Sequence, residues 1–283
     1  MLRLGGPVGG YGNDPAAWID ALRHEGYNAA YCPVGADPSD ELVRAFAEAA
    51  ADAGIVIAEV GAWSNPISPN AEVRQSALER CKARLDLADR IGARCCVNIS
   101  GSMAEEWDAP HADNLTDAAF ELIVASVREI IDAVQPTRTF YTLETMPWMY
   151  PDSVCSYERL IEAIDRERFA VHFDPANLIC SPERYYGNGA LIREFIARLG
   201  PHIKSCHAKD TLLSSALTIH IDEVRPGLGN LDYATLLTEL SSLGTDVPVM
   251  LEHLPSDEDY RLAAEHIRSV ASQVGIDMPR PRC

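Results

Sequence analysis

The sequence has few basic residues and no cluster of them. Its 24 Lys and Arg stand against 42 Asp and Glu, a formal net charge of −18. Binding to nucleic acid relies on Lys and Arg to neutralise phosphates, so no nucleic-acid partner is expected. No apolar run approaches the roughly 20 residues that a membrane span needs, so no membrane partner is expected either. The first residues, Met1-Leu-Arg-Leu-Gly-Gly, lack the charged-then-apolar layout of a signal peptide, which makes a cytoplasmic location the expectation. The eight Cys form no CxxC pair and no regular framework. Cys32, Cys95, Cys96 and Cys206 lie in apolar β-like runs and read as reduced packing residues. No GxGxxG follows an early strand, which argues against an open, doubly wound sheet.

What the sequence does contain is a regular alternation. Short β-rich runs at 2–4, 29–32, 55–60, 95–99, 140–144, 169–173, 203–207 and 249–252 are separated by stretches with apolar residues at helical spacing. Those stretches are 14–24, 39–53, 71–91, 116–134, 157–164, 190–199, 233–243 and 258–274. Gly26, Gly54, Gly92, Gly200 and Gly244 close helical patterns, while Pro15 and Pro38 sit where first turns are expected. Eight strand–helix units in order predict an α/β fold, a closed (β/α)8 TIM barrel. Its 283 residues, 47% of them hydrophobic, suit a single domain over 1–283 with a frayed tail from about 275. The loops after strands four to seven are long and rich in Trp, Tyr, Met and Pro, and should roof a pocket at the strands' C-terminal ends.

Four neighbouring strands end in a metal-ligand type. The runs are Phe-Tyr-Thr-Leu-Glu144, Val-His-Phe-Asp174, Ser-Cys-His207 and Val-Met-Leu-Glu252. A carboxylate at the end of an apolar strand is costly unless a charge compensates it. Three carboxylates and one imidazole around one point would repel, and a divalent cation resolves that. This hard, oxygen-rich set suits one divalent ion, Mn2+ best, with Mg2+, Co2+, Fe2+ and Zn2+ compatible.

Around these residues the chain resembles the xylose isomerase-like barrels, a family that includes sugar-phosphate isomerases, ketose 3-epimerases and AP-site endonucleases. The resemblance spans roughly residues 2 to 274. It is carried by Leu-Glu144, His-Phe-Asp174-Pro-Ala-Asn177, His207-Ala-Lys-Asp210, Arg225-Pro-Gly227-Leu-Gly229-Asn-Leu-Asp232-Tyr and Leu-Glu252-His. It implies the same four ligands. The match to AP-site endonucleases fails at Gly61-Ala-Trp63, where they carry a ligand His, and at Asp222-Glu223-Val-Arg, which lacks their Asp-x-His pair. Ketose 3-epimerases carry a His at the position of Asn177 and an Arg in the region of Leu213.

Two carboxylates beside a metal suit proton transfer next to a carbonyl, through an enediolate. The expected activity is therefore a metal-dependent isomerase or epimerase acting on a small-molecule carbohydrate, with Glu144 and Glu252 as the catalytic acid/base pair. The same first step also serves a lyase that expels a β substituent, such as a keto-sugar dehydratase or an enzyme cleaving a 3-keto-glycoside. A non-catalytic sugar-binding barrel is a third reading, and loss of a ligand would favour it. Candidate substrate contacts are His172, Asn177, Lys209, Arg225, Trp63, Trp107 and Trp148. Barrels of this family often pair, so a homo-oligomer is compatible, but no interface signal is visible in the sequence.

Overall fold

The structure, a computed structural model, describes residues 1–281. Eight parallel strands close into a barrel. In chain order they are β1 (Leu2–Gly5), β2 (Ala29–Tyr31), β3 (Val56–Gly61), β4 (Cys95–Asn98), β5 (Tyr141–Glu144), β6 (Phe169–Phe173), β7 (Ile203–Ala208) and, after a hairpin of β8 (Asp210–Leu213) and β9 (Ile221–Val224), β10 (Val247–Leu251). Around the barrel the order is β1-β10-β7-β6-β5-β4-β3-β2, so β1 closes the ring between β2 and β10. Closure is tight at Gly5, where a Cβ would lie 2.5 Å from the carbonyl oxygen of Ala29.

The crossovers are α1 (Pro15–Glu25), α2 (Asp40–Asp52), α3 (Ala71–Ile91), α4 (Asp117–Val134), α5 (Val154–Ile164), α6 (Pro182–Tyr186) with α7 (Asn188–Leu199), α8 (Tyr233–Ser242) and α9 (Asp257–Gln273). Side-chain caps set most of their starts. Asp14 accepts from the amides of Ala16 and Ala17, and Thr116 accepts from that of Ala119. Gly26 and Gly92 close α1 and α3 in the left-handed conformation, at φ 73° and 78°. Two punctuation marks act differently from expectation. Gly200 stays right-handed and leads into a short 3-10 turn, and Pro38 precedes Ser39, which is the residue that caps α2.

The helices bury Trp18, Phe46, Leu85, Tyr157, Ile192 and Phe195 against the outside of the barrel. Phe173 of β6 stacks on Phe195 of α7, with ring centroids 4.0 Å apart. Truncating either ring to Ala would cost about 3–5 kcal/mol. The residues after α9, expected to fray, fold back instead. Met278 is buried and the Asn28 side-chain amide donates to the carbonyl of Pro279 at 2.8 Å. Arg282 and Cys283, the end of the expected tail, lie outside the described residues. Among the described residues no cysteine is paired in a disulfide, and no helix is long and apolar enough to cross a membrane.

Candidate metal centre and substrate cavity

The strand ends converge as the sequence suggests. Glu144 closes β5, Asp174 follows β6, His207 lies in β7 and Glu252 follows β10, and these four strands are consecutive around the barrel. One ligand atom from each of the four lies within 4.8 Å of the others. His207 Nδ1 is 2.8 Å from Glu252 Oε1, 3.0 Å from Glu144 Oε1 and 3.7 Å from Asp174 Oδ2. All four side chains are buried or nearly so.

Lys209 completes the charge balance. Its Nζ lies 2.6 Å from Glu252 Oε1 and 2.8 Å from Asp174 Oδ2, and the residue is 3% exposed. Yet these two oxygens receive no well-directed hydrogen bond. Their contact with the ammonium is one of charge, which leaves them without a well-directed donor at the centre of the cluster. Orphaned acceptors on a buried carboxylate group fit a cation with several oxygen ligands. The residues present therefore fit a divalent ion.

The electrostatics separate the two glutamates. Burial pushes the Glu144 carboxyl above the usual carboxylate range, against the charges of His207 and Lys209. Burial acts the same way on Glu252, but His207 and Lys209 outweigh it and hold that carboxyl at about 2. On Asp174 too burial is outweighed, chiefly by Lys209, and the carboxyl is held well below its ordinary value.

Beneath the cluster is a residue that the sequence reading did not single out. Glu59 of β3 is 1% exposed. Its Oε2 lies 3.2 Å from His207 Nε2, its Oε1 lies 3.0 Å from His172 Nε2, and it also accepts from the hydroxyl of Ser205. A carboxylate on Nε2 favours the tautomer with the proton there, which would leave the Nδ1 lone pair to a cation held by the carboxylates.

The strings around Lys209 have a structural explanation. Asp210 takes amide hydrogen bonds from Gly227, Gly229 and Leu231 at 3.0, 3.1 and 2.8 Å. A Cβ on Gly229 would sit 2.3 Å from Asp210 Oδ1, so only glycine lets that backbone wrap the carboxylate. Tyr233 donates its hydroxyl to the carbonyl of Lys209 at 2.7 Å. The Pro-Gly loop thus clamps the segment that carries Lys209.

Above the cluster is a cavity of about 400 Å3, lined by Trp63, Trp107, Met146, Asn177, Lys209 and His253 among others. Asn177 donates from Nδ2 to Glu144 Oε1 at 3.1 Å. Three expected contacts are placed elsewhere. His172 is fully buried below the cluster on Glu59, where substrate cannot reach it. Arg225 lies outside the cavity lining with its Nε 3.4 Å from Asp259 Oδ1, so its charge is engaged with α9. Trp148 lines a neighbouring cavity. Asp108 and Glu223 line the first cavity and were not anticipated.

A family model described as xylose isomerase-like TIM barrel matches residues 19–270. Comparison with curated proteins finds no match. In three dimensions the chain is similar to a D-psicose 3-epimerase from Clostridium cellulolyticum H10 solved with D-tagatose, at a TM-score of 0.69 and 14% identity over 97% of this chain and 100% of that one. It is also similar to a xylose isomerase-like TIM barrel protein from Mycobacterium smegmatis in complex with magnesium, at 0.67 and 18% over 96% and 95%. A third similar structure is the 3-keto-D-glucoside 4-epimerase of E. coli, at 0.68 and 11% over 95% and 100%.

Proposed function

The chain belongs to the xylose isomerase-like TIM barrel family, and from that premise we propose that it is a divalent-metal-dependent isomerase or epimerase of an unphosphorylated sugar. One observation carries the reading: Glu144, Asp174, His207 and Glu252 gather at the floor of a Trp-lined cavity, with two carboxylate oxygens left unsatisfied. These four residues would hold the ion, Mn2+ best matching the donor set. When bound, the ion would supply Lewis-acid polarisation of a substrate carbonyl.

The rest is the work of the chain. Glu144 and Glu252 approach the cavity from opposite ends of the four-strand arc, after β5 and after β10. One removes the proton from the carbon next to the carbonyl and the other returns a proton. Return to the opposite face of the same carbon gives epimerisation, and return to the neighbouring carbon gives aldose–ketose isomerisation. Asn177 orients Glu144 through its amide. Trp63 and Trp107 line the cavity, where an indole can pack on the C–H face of a sugar and exclude water. Among the described residues no arginine lines the cavity, its lysine faces Asp174 and Glu252, and Asp108 and Glu223 add negative charge. That lining disfavours a phosphate.

The test is incubation of the Mn2+-loaded protein with free ketoses, aldoses and keto-sugars in D2O, followed by NMR. Deuterium at a carbon next to the carbonyl, without loss of mass elsewhere, is the expected result. No exchange across the panel would overturn the reading, and release of water or of a fragment would replace it with a lyase.

A further inference from the structure

Beside the metal cavity lies a second one of about 440 Å3, walled by Pro147, Trp148, Ile179, Ile219 and Ile221. Asn177 and Glu223 line both spaces, so the two meet at side chains that reach the metal cluster or its rim. Their linings differ in kind. The first is rich in carboxylates, while Glu223 is the one charged residue lining the second among the described residues.

The second cavity has the properties of a binding surface. Trp148 is 39% exposed and Ile219 is 61% exposed, which places large apolar surface at the edge of a cleft. Trp148 is also fixed in place, since its indole N–H donates at 2.8 Å to the carbonyl of Asp108, itself part of the first cavity's wall. A pinned indole forms a platform and keeps the two cavities in register. Ile219 and Ile221 come from the β8–β9 hairpin, which inserts between His207 and Pro226 and has no role in closing the barrel.

We propose that this cavity is a subsite for the non-reacting part of the substrate, an uncharged, ring-sized apolar group attached to the sugar. This rests on the proton-transfer reading above and narrows it. Each cavity lies at the small end of the roughly 300–1,000 Å3 range of ligand pockets, room for about one ring apiece. A sugar carrying a substituent on its anomeric carbon is locked closed, so the carbonyl that proton transfer requires must lie on a ring carbon. The substrate class is then a keto-glycoside, with the keto-sugar over Glu144 and Glu252 and the aglycone on Trp148 and Ile219. Glu223 at the junction disfavours an anionic aglycone.

Two measurements on the full chain test this. In the first, the Mn2+-loaded protein is given methyl and phenyl 3-keto-β-D-glucopyranosides in D2O. The phenyl compound should show a KM at least about fivefold lower, with a smaller change in kcat for exchange, and Ile219→Ser and Trp148→Leu should bring the KM ratio toward one. In the second, binding of unreactive methyl and phenyl β-D-glucopyranosides is followed by tryptophan fluorescence and should show the same preference. Equal KM and equal binding for the two glycosides would overturn the subsite while leaving proton transfer intact. Preferential phenyl binding without exchange on any sugar would retain the subsite and overturn the reaction. If Ile219→Ser changes the oligomeric state in sedimentation and leaves the phenyl/methyl ratio unaltered, the apolar face belongs to a second copy of the chain and the subsite is overturned.

Discussion

Glu59 Oε2 lies 3.2 Å from Nε2 of His207, and both residues are sealed inside the barrel. This one contact fixes which imidazole nitrogen faces the three carboxylates. Replacing Glu59 by Gln keeps the volume and removes the charge, and one of its two histidine contacts loses its acceptor. Metal affinity should fall by about 10–100-fold, read by calorimetric titration with Mn2+ on protein shown to be folded by circular dichroism. Unchanged affinity would leave Glu59 as ordinary core packing.

Glu144 and Glu252 are assigned the proton transfers. Glu144→Gln and Glu252→Gln should each lower the rate of deuterium incorporation by about 10²–10⁴-fold while the fold is retained. Exchange near the native rate in both variants would refute the assignment.

Lys209 neutralises Asp174 and Glu252 from a buried position. Lys209→Met leaves those carboxylates without their tethered cation. Removing one partner of a buried pair costs about 3–5 kcal/mol, so melting in the presence of a chelator should drop sharply. Added MnCl2 should recover most of the loss, because an ion can compensate the same oxygens. Equal melting of variant and native protein in chelator would show that the ammonium is dispensable.

Asp89 links α3 to the segment that leads into β5. Its carboxylate accepts from the amides of Thr137, Arg138 and Thr139 and from the hydroxyl of Thr137. Burial raises its pKa, but these donors outweigh burial and hold it below its ordinary 3.8. A depressed native value means the stabilisation is fully present above the unfolded value and is lost as pH falls through the native one. Asp89→Asn should therefore destabilise by roughly 1 kcal/mol at pH 7, the site being half-exposed. The gap should narrow below about pH 3.8 in urea unfolding curves. A gap that stays constant down to pH 2 would remove the charge from the explanation.

The barrel was legible because its apolar runs and helix caps recur with the right periods, and all eight expected strands form within a residue or two of their expected limits. The four ligand positions were legible for a physical reason: a carboxylate or imidazole directly after an apolar run needs a compensating charge. Glu59 gave the same kind of signal, a lone acid among Ile57, Ala58 and Val60, but it sits within the run, where no strand-end rule points. The hairpin of β8 and β9 falls within the long loop expected after the seventh strand. Its turn around Ser214–Thr218 lacks the Gly or Asn that marks such turns, although Ile219 and Ile221 do alternate with polar residues. Arg225 was misplaced because its partner, Asp259, lies on a helix far along the chain, and pairing at that separation leaves no local trace.

All four members of the ligand group lie after residue 140, and the last of them, Glu252, follows β10, the strand that β1 needs to close the ring. During synthesis the ribosome must therefore deliver the chain through Glu252 before the group exists. An ion held there cannot template the first half of the molecule as it emerges. It stabilises the finished barrel, and a chain cut short before Val247 would lack both the final donor and the last stave of the barrel.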